Sequence, residues 1–312
     1  MKWAILAGAV AVLALVVFLG LGESGGGCGG DVMGYIAPTL MPLVRDASIQ
    51  AGFSTQGLLS IGSVEALRRI QQGAVPDVFA SVDVELLKEA KTAAPYREIM
   101  KLGRFRIALI CAVRIRDLSE LASLGTALSD PTKAPIGYRE LALVWLLYRG
   151  GVVDLRWRYE ALGVRYVEWS RGVNITVPLR LSPSTYVELA PNLDGSWSHL
   201  ETGGVDCIFA HTPFIYGRFT LGDRLESTEL WDLYAVEYRG RTYYVYFFKP
   251  PYDFFNDPPA EMYVHYVDER GALIKSIKVV RFEAFVISYT PRGDCLIEAL
   301  RKVDLAKYGL SK

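Results

Sequence analysis

IGSVEALRRIQQGAVPDVFASVD, residues 61–83, reads as a helix followed by a buried strand. Val64, Leu67 and Ile70 share one face of a helix running from Ser63 to Gln72, and Gly73 is its stop signal. DVFASV (77–82) is a short apolar run of strand type. The same alternation continues on both sides. Upstream, VMGYIA (32–37) is a strand candidate, Leu40, Leu43, Val44 and Ala47 form a helical stripe, and a strand is expected near 53–60. Downstream come the helix VELLKEA (84–90) and the apolar run RIALICAV (106–113). This βαβαβ order predicts an α/β domain with a largely parallel sheet.

A second α/β unit begins near residue 117. It holds the helix RELALVWLLYR (139–149), stopped by Gly150-Gly151, and a helix around SWSHLETGG (196–204) leading into the strand VDCIFA (205–210). LYAVEYRGRTYYVYFF (233–248) is strand-rich and aromatic, and the proline-rich PPYDFFNDPP (250–259) reads as a surface loop. The stretch 263–280 is a hairpin turning at Glu269-Arg270-Gly271, and the chain closes with strand FEAFVISY (282–289) and a helix from Cys295. Aromatic residues are good strand formers, so the stretch 234–248 is first of all sheet and only secondarily a carbohydrate platform.

The first 30 residues differ in kind. WAILAGAVAVLALVVFLGLG (3–22) is uninterrupted apolar sequence behind Lys2, long for an export signal and sufficient for a membrane span. Residues 1–22 are therefore a signal peptide or membrane anchor and 23–30 a glycine-rich linker, with the remaining chain exported and held near a membrane. Cys28 in that linker is a candidate lipid attachment site, or simply a cysteine in a linker. Cys111 and Cys207 lie in apolar runs where packing is the default reading, and any disulfide among Cys111, Cys207 and Cys295 is left unassigned.

Composition restricts function. The 312-residue chain has 34 basic and 34 acidic residues, so it lacks the basic excess that nucleic-acid binding usually needs. With three histidines, no CxxC and no HExxH, a zinc enzyme is not expected. There is no GxSxG elbow and no P-loop. The expectation is a protein without catalysis, metal or cofactor.

What remains suggestive is the furniture of helix starts. Thr39 and Ser63 stand at two of them, where unpaired N–H groups and a positive dipole end suit an anion. Ordinary N-capping accounts for the same residues. A third candidate, SDPTKAPIGYR (129–139), feeds a helix through Pro135, with Gly137 permitting close approach.

Four blocks carry a family resemblance: APTLMPL (37–43), IGSVEALRRIQQGAVPDVFASVD (61–83), SDPTKAPIGYREL (129–141) and LETGGVDCIFAHTPF (200–214). In this order the chain resembles the archaeal tungstate/molybdate-binding proteins of ABC importers, a branch of the two-lobed (type II) periplasmic-binding-protein fold. The resemblance implies lobe one at 31–113 plus 275–312 and lobe two at 114–274. The stretch 225–275 has no counterpart and is read as an aromatic, strand-rich insertion.

The resemblance also implies a tetrahedral oxyanion, tungstate or molybdate, held at the hinge cleft by Thr39, Ser63 and a backbone donor near Ile136, and delivered to a membrane permease. Tyr138 and His211 are further ligand-binding candidates, with Tyr216 beside them. His211 has three readings: a neutral donor, a cation facing the anion, or a partly exposed loop residue. Arg139 is read as bracing its loop by hydrogen bonds. The archaeal branch completes an octahedral site with two carboxylates, and Ala134 and Ala210 stand at those positions here. The alternative is a surface or structural protein that kept the fold and lost or changed its ligand.

Overall fold

The computed structural model describes residues 28–311. The expected signal or anchor segment and most of the glycine linker lie outside the described residues. No helix among the described residues is long and apolar enough to cross a membrane.

Two mixed sheets organise the chain into two lobes. The first has five strands in the order Leu58–Ser60, Gly34–Ile36, Val78–Ser81, Glu283–Ser288, Glu98–Arg104. Its first three strands are parallel, and Glu283–Ser288 runs antiparallel to both neighbours. Val78–Ser81 is buried at every position, as the apolar run 77–82 demands. The helix Met41–Gln50 buries Leu43, Val44 and Ala47, and Leu40 is buried at its cap, so the sequence stripe is the core face.

The second sheet has seven strands: Val187–Ala190, Thr126–Ser129, Cys207–His211, Ile107–Cys111, Arg241–Phe248, Trp231–Tyr238, Arg224–Ser227. It too is parallel at one end and antiparallel at the other. The expected largely parallel sheet is thus only a part of each: two of four pairings are parallel in the five-stranded sheet and two of six in the seven-stranded one. Glu283–Ser288, which enters its sheet from the other lobe, and Arg241–Phe248, which enters by a hairpin, run antiparallel to both of their neighbours. A four-stranded sheet (Leu273–Lys278, Glu261–Val267, Gly172–Pro178, Arg165–Trp169) completes the fold.

Sheet membership moves the lobe limits. Ile107–Cys111, assigned by sequence to the first lobe, pairs with Cys207–His211 and Arg241–Phe248 in the second. Leu273–Lys278 likewise pairs with Glu261–Val267 rather than joining the five-stranded sheet. The chain therefore crosses between sheets at residues 105–106 and 279–282. Stacked rings of Phe105 and Phe282, 4.8 Å apart, bring the two crossings together. The stretch 225–275 adds a hairpin to the seven-stranded sheet and a strand pair to the four-stranded one.

All four cysteines are paired. Cys111 and Cys207 are cross-strand partners and form one disulfide; Cys28 and Cys295 form the other across 267 residues of sequence. This corrects two expectations. Cys111 and Cys207 are a covalent link and not merely packing. The Cys28 sulfur is bonded to Cys295, which leaves no thiol for the lipid attachment expected there.

Candidate functional site

Three helices of nine residues or more begin at one place between the lobes. Gly62 caps Ser63–Gln71 from the first lobe; Ala134 caps Pro135–Arg149 and Asn192 caps Leu193–Thr202 from the second. Pro135 at the first helical position fixes the backbone for helix entry and loses no needed donor. All three caps line a single buried cavity, together with Thr39, Ser63, Ile136 and His211. First-turn N–H groups have no partner within their own helix and carry the positive end of the dipole. No carboxylate and no other charged side chain lines the cavity. Its volume is about 10 Å³, roughly one water-sized sphere.

The lobes grip each other around this cavity through their own hydrogen bonds. Val64 N–H and Glu65 N–H donate to the Lys133 carbonyl at 3.1 and 3.4 Å, so the opposite lobe supplies the acceptor at this helix start. Thr39 Oγ1 and His211 Nδ1 lie 2.7 Å apart, also across the lobes. Ser63 Oγ accepts a 3.4 Å bond from Val82 N–H, which leaves its proton for another partner. At the mouth, Ser60 donates to Asp194 at 2.5 Å and Arg218 donates to the same carboxylate at 2.6 Å. Beyond them opens a wider interlobe cleft of about 620 Å³.

Behind the cavity sits an ion pair that joins the lobes. Asp83 follows the strand Val78–Ser81, and Arg139 lies on the helix Pro135–Arg149; both side chains are wholly buried, with Nη2 3.0 Å from Oδ1. Tyr138 donates its hydroxyl to Asp83 and accepts from Arg139 Nη1 at 2.6 Å. Burial works against the Arg139 charge, but Asp83 and Tyr138 outweigh it and hold its pKa up. Burial likewise drives the Tyr138 phenol well above its ordinary value.

Four of the expected ligand residues, Thr39, Ser63, Ile136 and His211, meet at one cavity. Tyr138 does not join them, because Asp83 and Arg139 take its hydroxyl. Tyr216 is 42% exposed and lies elsewhere. His211 is 1% exposed, so it is no loop residue on the surface. Burial first and Arg139 second push its pKa well below the ordinary value, and the ring is neutral. Ala134 lines the cavity, whereas Ala210 is buried in the strand and its neighbour His211 faces the site. Arg139 braces its surroundings as expected, but through Asp83 and the Val280 carbonyl.

Sequence reasoning passed over Asp83, Asn192 and the Lys133 carbonyl. Asn192 carried a readable signal, being an Asn directly before a helical stretch. Asp83 and Lys133 carried none, since each acts on the lobe opposite its own. Among the described residues no cluster of His, Cys, Asp or Glu is arranged to hold a metal ion.

No protein-family model and no curated protein matches the sequence. Solved structures do match. The periplasmic molybdate-binding protein of Azotobacter vinelandii superposes with a TM-score of 0.54 at 12% identity, covering 90% of this chain and 99% of that one. A substrate-binding domain ascribed to a molybdenum ABC transporter of Clostridium difficile gives 0.41 at 11% identity, covering 91% and 99%. A periplasmic binding protein of an arginine transport system from Legionella pneumophila gives 0.38 at 8% identity, covering 89% and 97%. The likeness to the Azotobacter protein is one of fold: the chain has the two-lobed periplasmic-binding-protein architecture.

Proposed function

We propose that this chain is the extracytoplasmic solute-binding component of an ABC importer and captures a tetrahedral oxyanion, tungstate or molybdate, between its lobes. One observation carries the reading. The starts of three long helices, two of them from the lobe opposite the third, converge with two hydroxyls on a cavity that no carboxylate lines. Such a site attracts a dianion with dipoles and neutral donors alone. Thr39 and Ser63 supply hydroxyls, and the first turn beginning at Pro135 supplies the N–H of Ile136. A carboxylate at Ala134 would repel a dianion here, so its absence suits binding without octahedral coordination.

Binding and closure are one event in this mechanism. The Lys133 carbonyl occupies Val64 N–H and Glu65 N–H when the lobes meet, and the cavity has room for little more than a water. An oxyanion enters when the lobes part at 105–106 and 279–282, and it then replaces Lys133 as the acceptor. Only the closed arrangement offers it donors from both lobes, which is why it stabilises that arrangement. The closed form presents itself to a membrane permease, with the apolar segment 3–22 holding the chain at the membrane. Two disulfides fit an oxidising, extracytoplasmic compartment.

Thermal-shift and calorimetric titration of the purified protein with tungstate, molybdate, sulfate and phosphate tests the reading. A ligand at one hundred times its dissociation constant adds about 2.7 kcal/mol, or roughly 5 °C in Tm for a chain of this size. A shift with tungstate or molybdate is expected. No shift with any oxyanion overturns the reading and favours a surface or structural protein whose lobes are held shut by Lys133 and Asp194.

A further inference from the structure

The ring of His211 is enclosed by groups from both lobes and from both crossings between them. It ends the second-lobe strand Cys207–His211, and its Nδ1 lies 2.7 Å from Thr39 Oγ1 of the first lobe. Phe105 and Phe282, one on each crossing, pack edgewise against it with centroids at 5.0 and 4.6 Å. Nδ1 has Thr39, but Nε2 is buried and has no hydrogen-bond partner among the described residues. A neutral ring can leave Nε2 as a bare lone pair. An imidazolium carries a proton on both nitrogens, so its Nε2–H would be a charged donor buried without an acceptor. The surrounding elements offer it no counter-charge. The turn at Thr39 brings a hydroxyl and the crossings bring phenyl rings. The helix Pro135–Arg149 brings the Arg139 guanidinium, 4.6 Å over the Phe282 ring and of the same sign. Asp83 beyond it is taken up by Arg139 and Tyr138, and no carboxylate lines the cavity.

We infer that His211 is a proton-operated latch between the lobes: neutral, it permits closure over the cavity, and protonated, it favours the open arrangement. When the lobes part, Thr39 withdraws from the ring and water reaches Nε2. The open form then takes up a proton near the ordinary histidine value of 6.5. In the closed form burial first and Arg139 second hold the pKa well below that value. The closed form therefore binds fewer protons, and acid shifts the equilibrium towards the open one. For the ligand-free chain the closing equilibrium falls about tenfold for each pH unit below about 6.5, until the closed form itself protonates. The latch acts without any solute, so it stands or falls independently of the oxyanion reading.

Small-angle scattering of the ligand-free full chain between about pH 8 and about pH 4.5 tests this, with far-ultraviolet circular dichroism to separate opening from unfolding. The radius of gyration is expected to rise reversibly on the acid side of about 6.5 while the dichroism stays unchanged. His211→Asn keeps an amide that can bond Thr39 but takes up no proton, and it is expected to stay compact throughout. The chain has three histidines, so His199→Gln with His265→Gln leaves His211 alone and is expected to keep the transition. That double variant decides the matter if His211→Asn does not fold. A radius of gyration that stays constant across the range overturns the latch. So does a transition that survives His211→Asn, or one that disappears when only the other two histidines are replaced.

Discussion

Replacing Gly62 with alanine isolates the contact between the lobes from the folding of either one. Gly62 has φ −61° and ψ 138°, a conformation any L-residue adopts, so a side chain meets no local objection. The objection comes from the other lobe. An added Cβ would stand 2.5 Å from the Lys133 carbonyl oxygen, 3.2 Å from its carbon and 3.6 Å from Ala134 Cα. Relaxed C···O contacts run at about 3.3–3.6 Å, so the carbonyl has to retreat by about 1 Å.

That retreat costs the two bonds that Lys133 accepts from Val64 and Glu65. At about 0.5–1.5 kcal/mol each, the closed arrangement is weakened by about 1–3 kcal/mol, or roughly 5- to 150-fold in the closing equilibrium. Small-angle scattering of the unliganded Gly62→Ala variant should show a larger radius of gyration than wild type. The sign discriminates. Without a clash, alanine at an unstrained position stabilises a protein by about 0.4–1 kcal/mol through the unfolded chain. A variant that scatters like wild type and melts higher would refute the reasoning.

Other perturbations give equally definite outcomes. Asp83→Asn leaves the Arg139 guanidinium buried without its counter-charge; denaturant unfolding should show a loss of about 3–5 kcal/mol, and a loss below 1 kcal/mol would contradict the buried pair. Glu140 is buried beneath the Tyr159 hydroxyl, and burial raises its pKa from an ordinary 4.5 to about 8. The folded state therefore holds a proton the unfolded chain has lost, and this contribution declines by about 1.4 kcal/mol per pH unit as pH rises from 4.5 through 8. Glu140→Gln should remove that alkaline decline from the stability–pH profile; an unchanged profile would show that Glu140 is ionised in the fold. The unreduced protein should take up no iodoacetamide at any of its four cysteines, and a lipid adduct on Cys28 in its intact mass would contradict the Cys28–Cys295 bond. Cys111→Ala with Cys207→Ala should cost about 2–5 kcal/mol, since the bond closes a long loop.

Local sequence determined the elements of this fold and pointed to four of the residues that line its candidate site. Periodicity placed the helices beginning at Met41 and Ser63, an apolar run placed Val78–Ser81, and Pro135 marked the start of the long second-lobe helix, because each signal is written in residues a few positions apart. Thr39, Ser63, Ile136 and His211 were legible for the same reason, each standing at or beside the start of an element. Tertiary structure alone decided what those residues do together. Ile107–Cys111 joins the second lobe because its strand partners begin 96 residues away, at Cys207, and no local pattern records partners. Tyr138 stands in a motif that points to the cleft, yet its hydroxyl goes to Asp83, 55 positions earlier in the chain. Lys133 meets Val64 and Glu65, and His211 meets Thr39, once the chain has crossed between sheets at 105–106; Cys28 meets Cys295 only after it has crossed back at 279–282. Pairing across lobes depends on distance in space, which is a property of the assembled core and not of any stretch of sequence within it.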